Sequence, residues 1–216
     1  MSLLRWVLDL LYPPLCPFCQ RLLDRHAGEE FLCERCRGEL PWLRGVRVSR
    51  VLEDGTACLS VLRYEGDAAQ SIRRYKFSGR RMYAPCYGEL LSRIAPAGDL
   101  VSWMPLGPKR RRERGYNQAE LMARELARRI VVPAVPLLDK PKDTQAQSGL
   151  DAQEARQANV SGAYRPLEGA DCRGKRVLLV DDVVTTGSTL QEGCQVLREM
   201  GAEEVVCLTL ARARES

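Results

Sequence analysis

The stretch Val177-Leu-Leu-Val-Asp-Asp-Val-Val-Thr-Thr-Gly-Ser-Thr-Leu190 constrains the fold more than any other. Its apolar run, Val177 to Val180, is bounded by charge and has the composition of a strand buried on both faces. Asp181 and Asp182 follow at the carboxyl end of that strand. Val183 and Val184 then lead into Thr185-Thr186-Gly187-Ser188-Thr189, and Leu190 to Met200 has the pattern of an amphipathic helix. Ser188 with Gln191 has the spacing of a capping box, which predicts a helix start at that point. Ligands of open α/β sheets bind outside the carboxyl ends of strands, so a site is expected here. A small hydroxyl-rich turn opening a helix leaves backbone amides for an anion, which favours phosphate. The plainer alternative is a strand, turn and helix with capping hydroxyls and solvated aspartates. The doubled acid, the hydroxyl-glycine turn and the strand context together weigh against it.

The rest of the chain alternates in the same way. Strands are predicted over Cys58–Tyr64, Leu100–Met104, Val135–Leu138, Arg176–Val180 and Val205–Leu210, with helices over Asp67–Lys76, Tyr83–Ile94, Ala119–Ile130 and Ser188–Met200. This alternation implies an α/β fold with a mostly parallel sheet flanked by helices. Pro41 to Gly55 reads as a linker or a short hairpin, Asp139 to Gly149 as a loop, and Gln153 to Asn159 as weakly helical. Leu3, Leu4, Val7, Leu8 and Leu11 recur at helical spacing. That run is interrupted by Arg5 and Asp9 and ended by Pro13-Pro14. It reads as a short amphipathic helix rather than a signal peptide or a membrane span, and a cytoplasmic protein is expected.

Nine cysteines are many for 216 residues. Four lie in two pairs, Cys16-Pro-Phe-Cys19 and Cys33-Glu-Arg-Cys36, with 13 residues between them. This spacing suits a tetrahedral four-thiolate zinc site, closed and therefore structural. The other five are scattered, which points to a reducing compartment rather than a disulfide framework. His26, the only histidine, is expected to be a solvated loop residue, so histidine-dependent catalysis is not expected. The sequence thus divides into a zinc-binding appendage over 1–50 and a main domain over 56–216.

Five of the six residues Lys109 to Arg114 are basic. They are predicted to form a loop between a strand and a helix, a placement that suits phosphate oxygens or nucleic acid. A solvated charged loop is the base case. The adjoining Arg114-Gly115-Tyr116-Asn117-Gln118-Ala119 is too specific a run to leave it there.

With these elements placed, the chain resembles the ComF family of competence proteins. The resemblance rests on the cysteine pairs, Tyr64-Glu-Gly66, Ile72 with Lys76-Phe77-Ser78-Gly79, Pro105-Leu106 and Arg112 through Ala119. It continues with Thr144, Gln147, Arg156 and Asn159-Val160, the Asp181–Thr189 loop and Leu208-Thr-Leu-Ala-Arg212. It departs at Ser102-Trp103-Met104, where the family often has a Val-Pro-Val-Pro run. The family's frequent arginine shortly before the Thr144–Gln147 element is matched only by Lys140 and Lys142.

The resemblance implies a type I phosphoribosyltransferase-like domain, acting on phosphoribosyl pyrophosphate with magnesium, in a protein linked to uptake of transforming DNA. It implies that Asp181 and Asp182 are the catalytic pair that orients the ribose hydroxyls. Val183, Val184, Thr185, Thr186, Gly187, Ser188 and Thr189 would form the loop around the 5′-phosphate. Lys76, Arg110, Arg112 and Arg114 are candidates for the pyrophosphate or for DNA, while Asn117 and Gln118 either join them or hold the loop in shape. The alternative is a non-catalytic module that senses phosphoribosyl pyrophosphate or grips single-stranded DNA, with Trp103 or Tyr116 as stacking platforms. Proteins of the competence machinery are further candidate partners.

Overall fold

The computed structural model describes residues 13–23, 31–43, 48–142 and 162–214. The predicted helices near the N-terminus and over 153–159, the loop beyond residue 142, and His26 lie outside the described residues. Within them a five-stranded sheet runs in the order β1-β2-β7-β6-β3. The strands are β1 (Arg50–Val51), β2 (Ala57–Arg63), β3 (Leu100–Trp103), β6 (Arg176–Val184) and β7 (Glu204–Arg212). Only the β1–β2 pair is antiparallel, so the expected mostly parallel sheet is present. Of the two readings of Pro41–Gly55, the hairpin is the observed one: Arg50 faces Cys58 and Val51 faces Ala57.

Alternating side chains of the central strands feed two cores. Leu178, Val180, Leu208 and Leu210 face α2 (Gly66–Phe77), α3 (Ala84–Ser92) and α5 (Gln118–Ile130). Val177, Leu179, Val205 and Cys207 face α6 (Ser188–Glu199) on the other side. The period of two has a direct consequence for the acids. Asp181 continues the row of Val177 and Leu179, and Asp182 continues the row of Leu178 and Val180. The two neighbouring carboxylates therefore address opposite faces of the sheet.

Three predicted elements differ. The basic run is not a loop but a helix, α4 (Pro108–Arg114). Pro108 occupies its first turn, the arginines are good helix formers, and Gly115 ends it at φ 70°. The strand predicted over Val135–Leu138 is reduced to a bridge between Val101 and Ala134 and to β4 (Leu138–Asp139). β4 pairs with β5 (Arg165–Pro166) in a separate two-stranded sheet. Pro133 and Pro136 lack the amides that a continuous ladder needs. Nor does Ser188 cap α6: Gly187 holds the cap position at φ 94° without a side-chain bond, and the Gln191 side chain donates to Glu53 Oε2 at 3.4 Å.

Candidate anion site and metal centre

β3 stops one residue short of the acids. Trp103 is the last residue in register with β6, opposite Val180, and the Met104 amide donates to the Val180 carbonyl at 3.0 Å. Beyond that point β6 is paired only with β7, through Asp181↔Thr209, Val183↔Ala211 and Val184↔Arg212. The strand is thus four residues longer than the predicted Arg176–Val180. Its carboxylates lie where one edge opens into a crevice, the position at which open parallel sheets take ligands. The Asp182 amide is accepted by the Asp181 carboxylate at 2.8 Å.

Asp182, 8% exposed, accepts from Lys76 Nζ at 2.7 Å. Lys76 comes from the last turn of α2, so this ion pair ties that helix to the crevice. Asp181 faces the other way. Burial, and then the neighbouring Asp182 charge, push its pKa up to about 7, against the opposing influence of Lys76 and Lys140. A carboxylate raised in this way beside a second one forms a donor set that a hard dication relieves, so these residues fit magnesium held largely through water.

The Asp181 shift gives a pH-dependent expectation. Between its ordinary range and pH 7 the native chain holds a proton that the unfolded chain has released. Stability therefore falls as pH rises across that window. Asp181→Asn is expected to be about 2 kcal/mol more stable than wild type at pH 8, an advantage that vanishes near pH 4, as read from urea denaturation at both pH values. Equal stabilities at pH 8 would show that the carboxylate is not strained by its setting.

Past Val184 the chain enters the turn. Thr185, Thr186 and Thr189 are exposed, whereas Gly187 is buried. A Cβ on Gly187 would lie 2.6 Å from Leu52 Cδ2, so both conformation and space demand glycine. Arg50 Nη1 donates to the Thr186 carbonyl at 2.8 Å, and the Thr186 and Ser188 hydroxyls are 2.9 Å apart. The turn is thereby shaped from the β1 side before the first amides of α6, which have no intrahelical acceptor.

Lys76, Arg110 and Arg114 line one cleft of about 870 Å³ together with Arg73, Phe77, Glu113 and Tyr64. Arg112 is exposed on α4 and does not line it. Arg114 donates to Gln118 Oε1 at 2.9 Å and its guanidinium lies 5.1 Å from the Phe77 ring centre. Burial pulls the Arg114 pKa down, opposed first by the Asp182 charge. Asn117 is structural: its Oδ1 caps α5 by accepting the Ala119 amide at 3.0 Å, and its Nδ2 donates to the Met104 carbonyl at 2.9 Å.

The proposed stacking platforms are not available. Trp103 and Tyr116 are buried, and the Tyr116 hydroxyl is engaged by the Tyr75 carbonyl. Phe77, which sequence reasoning left unassigned, is 73% exposed at the cleft mouth instead. The Ser102 hydroxyl, at the departure from the family pattern, is buried without a hydrogen-bond partner among the described residues.

Beside Ser71 and Arg74 of α2, the Sγ atoms of Cys16, Cys19, Cys33 and Cys36 lie within 4.8 Å of one another. Tetrahedral zinc with four thiolates separates its sulfurs by about 3.8 Å, so the cluster fits that ion. Cys16–Cys19 is a tight turn, closed by the Gln20 amide on the Cys16 carbonyl at 2.8 Å. Cys33 and Cys36 open α1 (Glu34–Glu39), whose first turn aims both sulfurs at the same point. All nine cysteines are free thiols. No helix among the described residues is long and apolar enough to cross a membrane.

Comparison with known proteins agrees with this anatomy. Residues 117–216 match the phosphoribosyl transferase domain, and residues 7–60 match the double zinc ribbon domain. Competence protein F of Haemophilus influenzae is 31% identical over 221 residues, covering 92% of this chain and 90% of its own. The DNA utilization protein YhgH of Salmonella typhi is 33% identical over 210 residues, covering 92% and 84%. Among solved structures, the allosteric regulatory enzyme of purine biosynthesis aligns with 63% of this chain and 29% of its own at 22% identity and a TM-score of 0.44. With a parallel sheet bearing paired acids at its open edge, an N-terminal four-cysteine ribbon and full-length relatives of this kind, the chain belongs to the ComF family of competence proteins.

Proposed function

We propose that the crevice at the end of β6 binds phosphoribosyl pyrophosphate with magnesium, in a protein that serves the handling of transforming DNA. One observation carries the reading: paired carboxylates on the end of β6 that β3 leaves open run directly into a glycine turn and the amide end of α6, with Lys76 opposite. Asp182 and Asp181 orient the ribose hydroxyls. The turn Thr185–Thr189 takes the 5′-phosphate, and Lys76, Arg110 and Arg114 take the pyrophosphate. Magnesium, when bound, neutralises the pyrophosphate as it departs. The residues contribute orientation and preplaced charge, the two requirements of a reaction in which positive charge develops on the ribose. The names of the relatives support the link to DNA. A cytoplasmic location accords with the free thiols.

Release of pyrophosphate on adding each of a panel of nucleobases, lost in Asp182→Asn, is the expected result for a transferase. Saturable binding without release for any base would reduce the protein to a sensor of the same ligand.

The exposed Arg110, Arg111 and Arg112 on α4 favour a second reading, in which that helix holds single-stranded DNA. Replacing all three by alanine is then expected to lower the slope of log affinity against log salt by about 2, measured by fluorescence anisotropy with an oligonucleotide. An unchanged slope would remove α4 from any DNA contact.

A further inference from the structure

The zinc ribbon and the crevice both reach one helix, α2, whose last turn carries Arg74 toward the ribbon and Lys76 toward the crevice. The metal loop presents two backbone carbonyls to α2, those of Pro17 and Phe18, the residues between ligands Cys16 and Cys19. Arg74 Nη2 donates to Pro17 O at 3.0 Å and to Phe18 O at 2.6 Å. Ser71 Oγ, one turn earlier, also donates to Pro17 O at 2.6 Å. Ser71 has a single hydroxyl proton, so the Tyr87 hydroxyl 2.6 Å away must donate to it in turn. Both hydroxyls are fully buried. Two residues beyond Arg74, Lys76 makes its 2.7 Å pair with Asp182.

A second connection runs through aromatic rings. Phe18 lies 5.8 Å from Tyr87, Tyr87 5.0 Å from Tyr75, and Tyr75 5.8 Å from Tyr116, centre to centre. Tyr116 is two residues from Arg114, the cation that lines the cleft beside Lys76. The ribbon therefore holds α2 by polar bonds to loop carbonyls and by packing, and α2 supplies the lysine of the site.

We propose that the metal loop is a clamp on α2, so that zinc occupancy and anion binding at the β6 crevice are thermodynamically coupled. Ser71 and Arg74 are the positioning residues. The polar contacts carry the specificity of the clamp, because the carbonyls converge on Arg74 only while the Cys16–Cys19 turn keeps its metal-bound shape. A ligand that needs Lys76 in place must then tighten zinc, by the reciprocity of linked equilibria. The ligand half of this proposal rests on the function proposed above; the clamp itself does not.

The test uses the full chain as wild type, Arg74→Ala and Arg74→Lys, each with and without a zinc chelator. Hydrogen exchange over residues 72–78 reads the clamp without any ligand. Titration with phosphoribosyl pyrophosphate and magnesium reads the coupling. Arg74→Ala is expected to retain one zinc, to exchange about tenfold faster at the end of α2, and to bind the ligand about tenfold more weakly, with partial rescue in Arg74→Lys. In the wild type, the ligand should shift the chelator competition for zinc by the same factor, and in Arg74→Ala it should not. Exchange and affinity within twofold of wild type in zinc-loaded Arg74→Ala would overturn the proposal. So would a chelator competition that the ligand leaves unmoved in a wild type that binds it. A wild type that binds no phosphoribosyl pyrophosphate would sink the function reading, and the exchange data would still decide the clamp.

Discussion

Replacing Cys36 by serine is expected to melt the main domain as well as the ribbon. Cys16, Phe18, Leu32, Cys36 and Leu40 belong to the same apolar cluster as Ile72, Tyr75, Tyr87 and Leu90. Losing the metal therefore opens one wall of the larger core. Structural zinc contributes about 10–16 kcal/mol in isolated ribbons, as much as the whole stability of an ordinary domain. Even if most of that is lost to ordering the loop, a deficit of about 5 kcal/mol should lower the melting temperature by about 10–20 °C at this chain length. Circular dichroism with parallel metal analysis checks this. Cys86→Ser is the control, since Cys86 is also buried in that cluster but is not a ligand, and it should keep one zinc per chain. A zinc-free Cys36→Ser protein that melts with the wild type would show that the ribbon is an independent ornament.

The second large effect is expected at Gly187. Its φ of 94° is strained for any side chain, and a Cβ would meet Leu52 Cδ2 at 2.6 Å. Gly187→Ala must therefore push the Leu52 side chain aside or shift the turn itself. The sheet does not depend on that residue, so the loss in stability should stay near about 1–3 kcal/mol. The turn would move away from the amides of α6, and affinity for phosphoribosyl pyrophosphate should fall by about 100-fold or more, a change of about 3 kcal/mol. Thr186→Ala, which removes one hydroxyl and leaves the backbone path intact, should cost far less. Equal losses in the two variants would mean that the hydroxyls, not the turn, hold the phosphate.

How much of this was legible beforehand depended on whether the information was local. The β6–turn–α6 unit was readable because a double-faced apolar strand, a pair of acids and a glycine turn follow one another without interruption. The cysteine pairs were readable because four thiolates at that spacing have little else to do. Lys76 could be placed near the acids by resemblance, but its 2.7 Å pairing with Asp182 arises from the docking of α2, which no local pattern encodes. The basic segment was misread as a loop because its charge masked good helix propensity bounded by Pro108 and Gly115. Trp103 and Tyr116 looked like platforms because aromatics beside arginines often are; here the tyrosine cluster claims one and β3 the other. Phe77 carried a signal, an aromatic at the polar end of a helix, whose meaning needed the neighbouring Arg114 to be seen. Arg50 and Leu52, which shape the Thr185–Thr189 turn, come from a hairpin more than 130 positions earlier.

Calorimetric titration tests most directly whether the end of β6 is the magnesium-dependent site for phosphoribosyl pyrophosphate proposed above. Wild-type protein should bind one equivalent with magnesium and far more weakly in its absence. The Asp181→Asn/Asp182→Asn protein, folded and with its zinc in place, should give no measurable heat of binding. Wild type that shows no saturable binding with magnesium, or a double variant that binds like wild type, would contradict it.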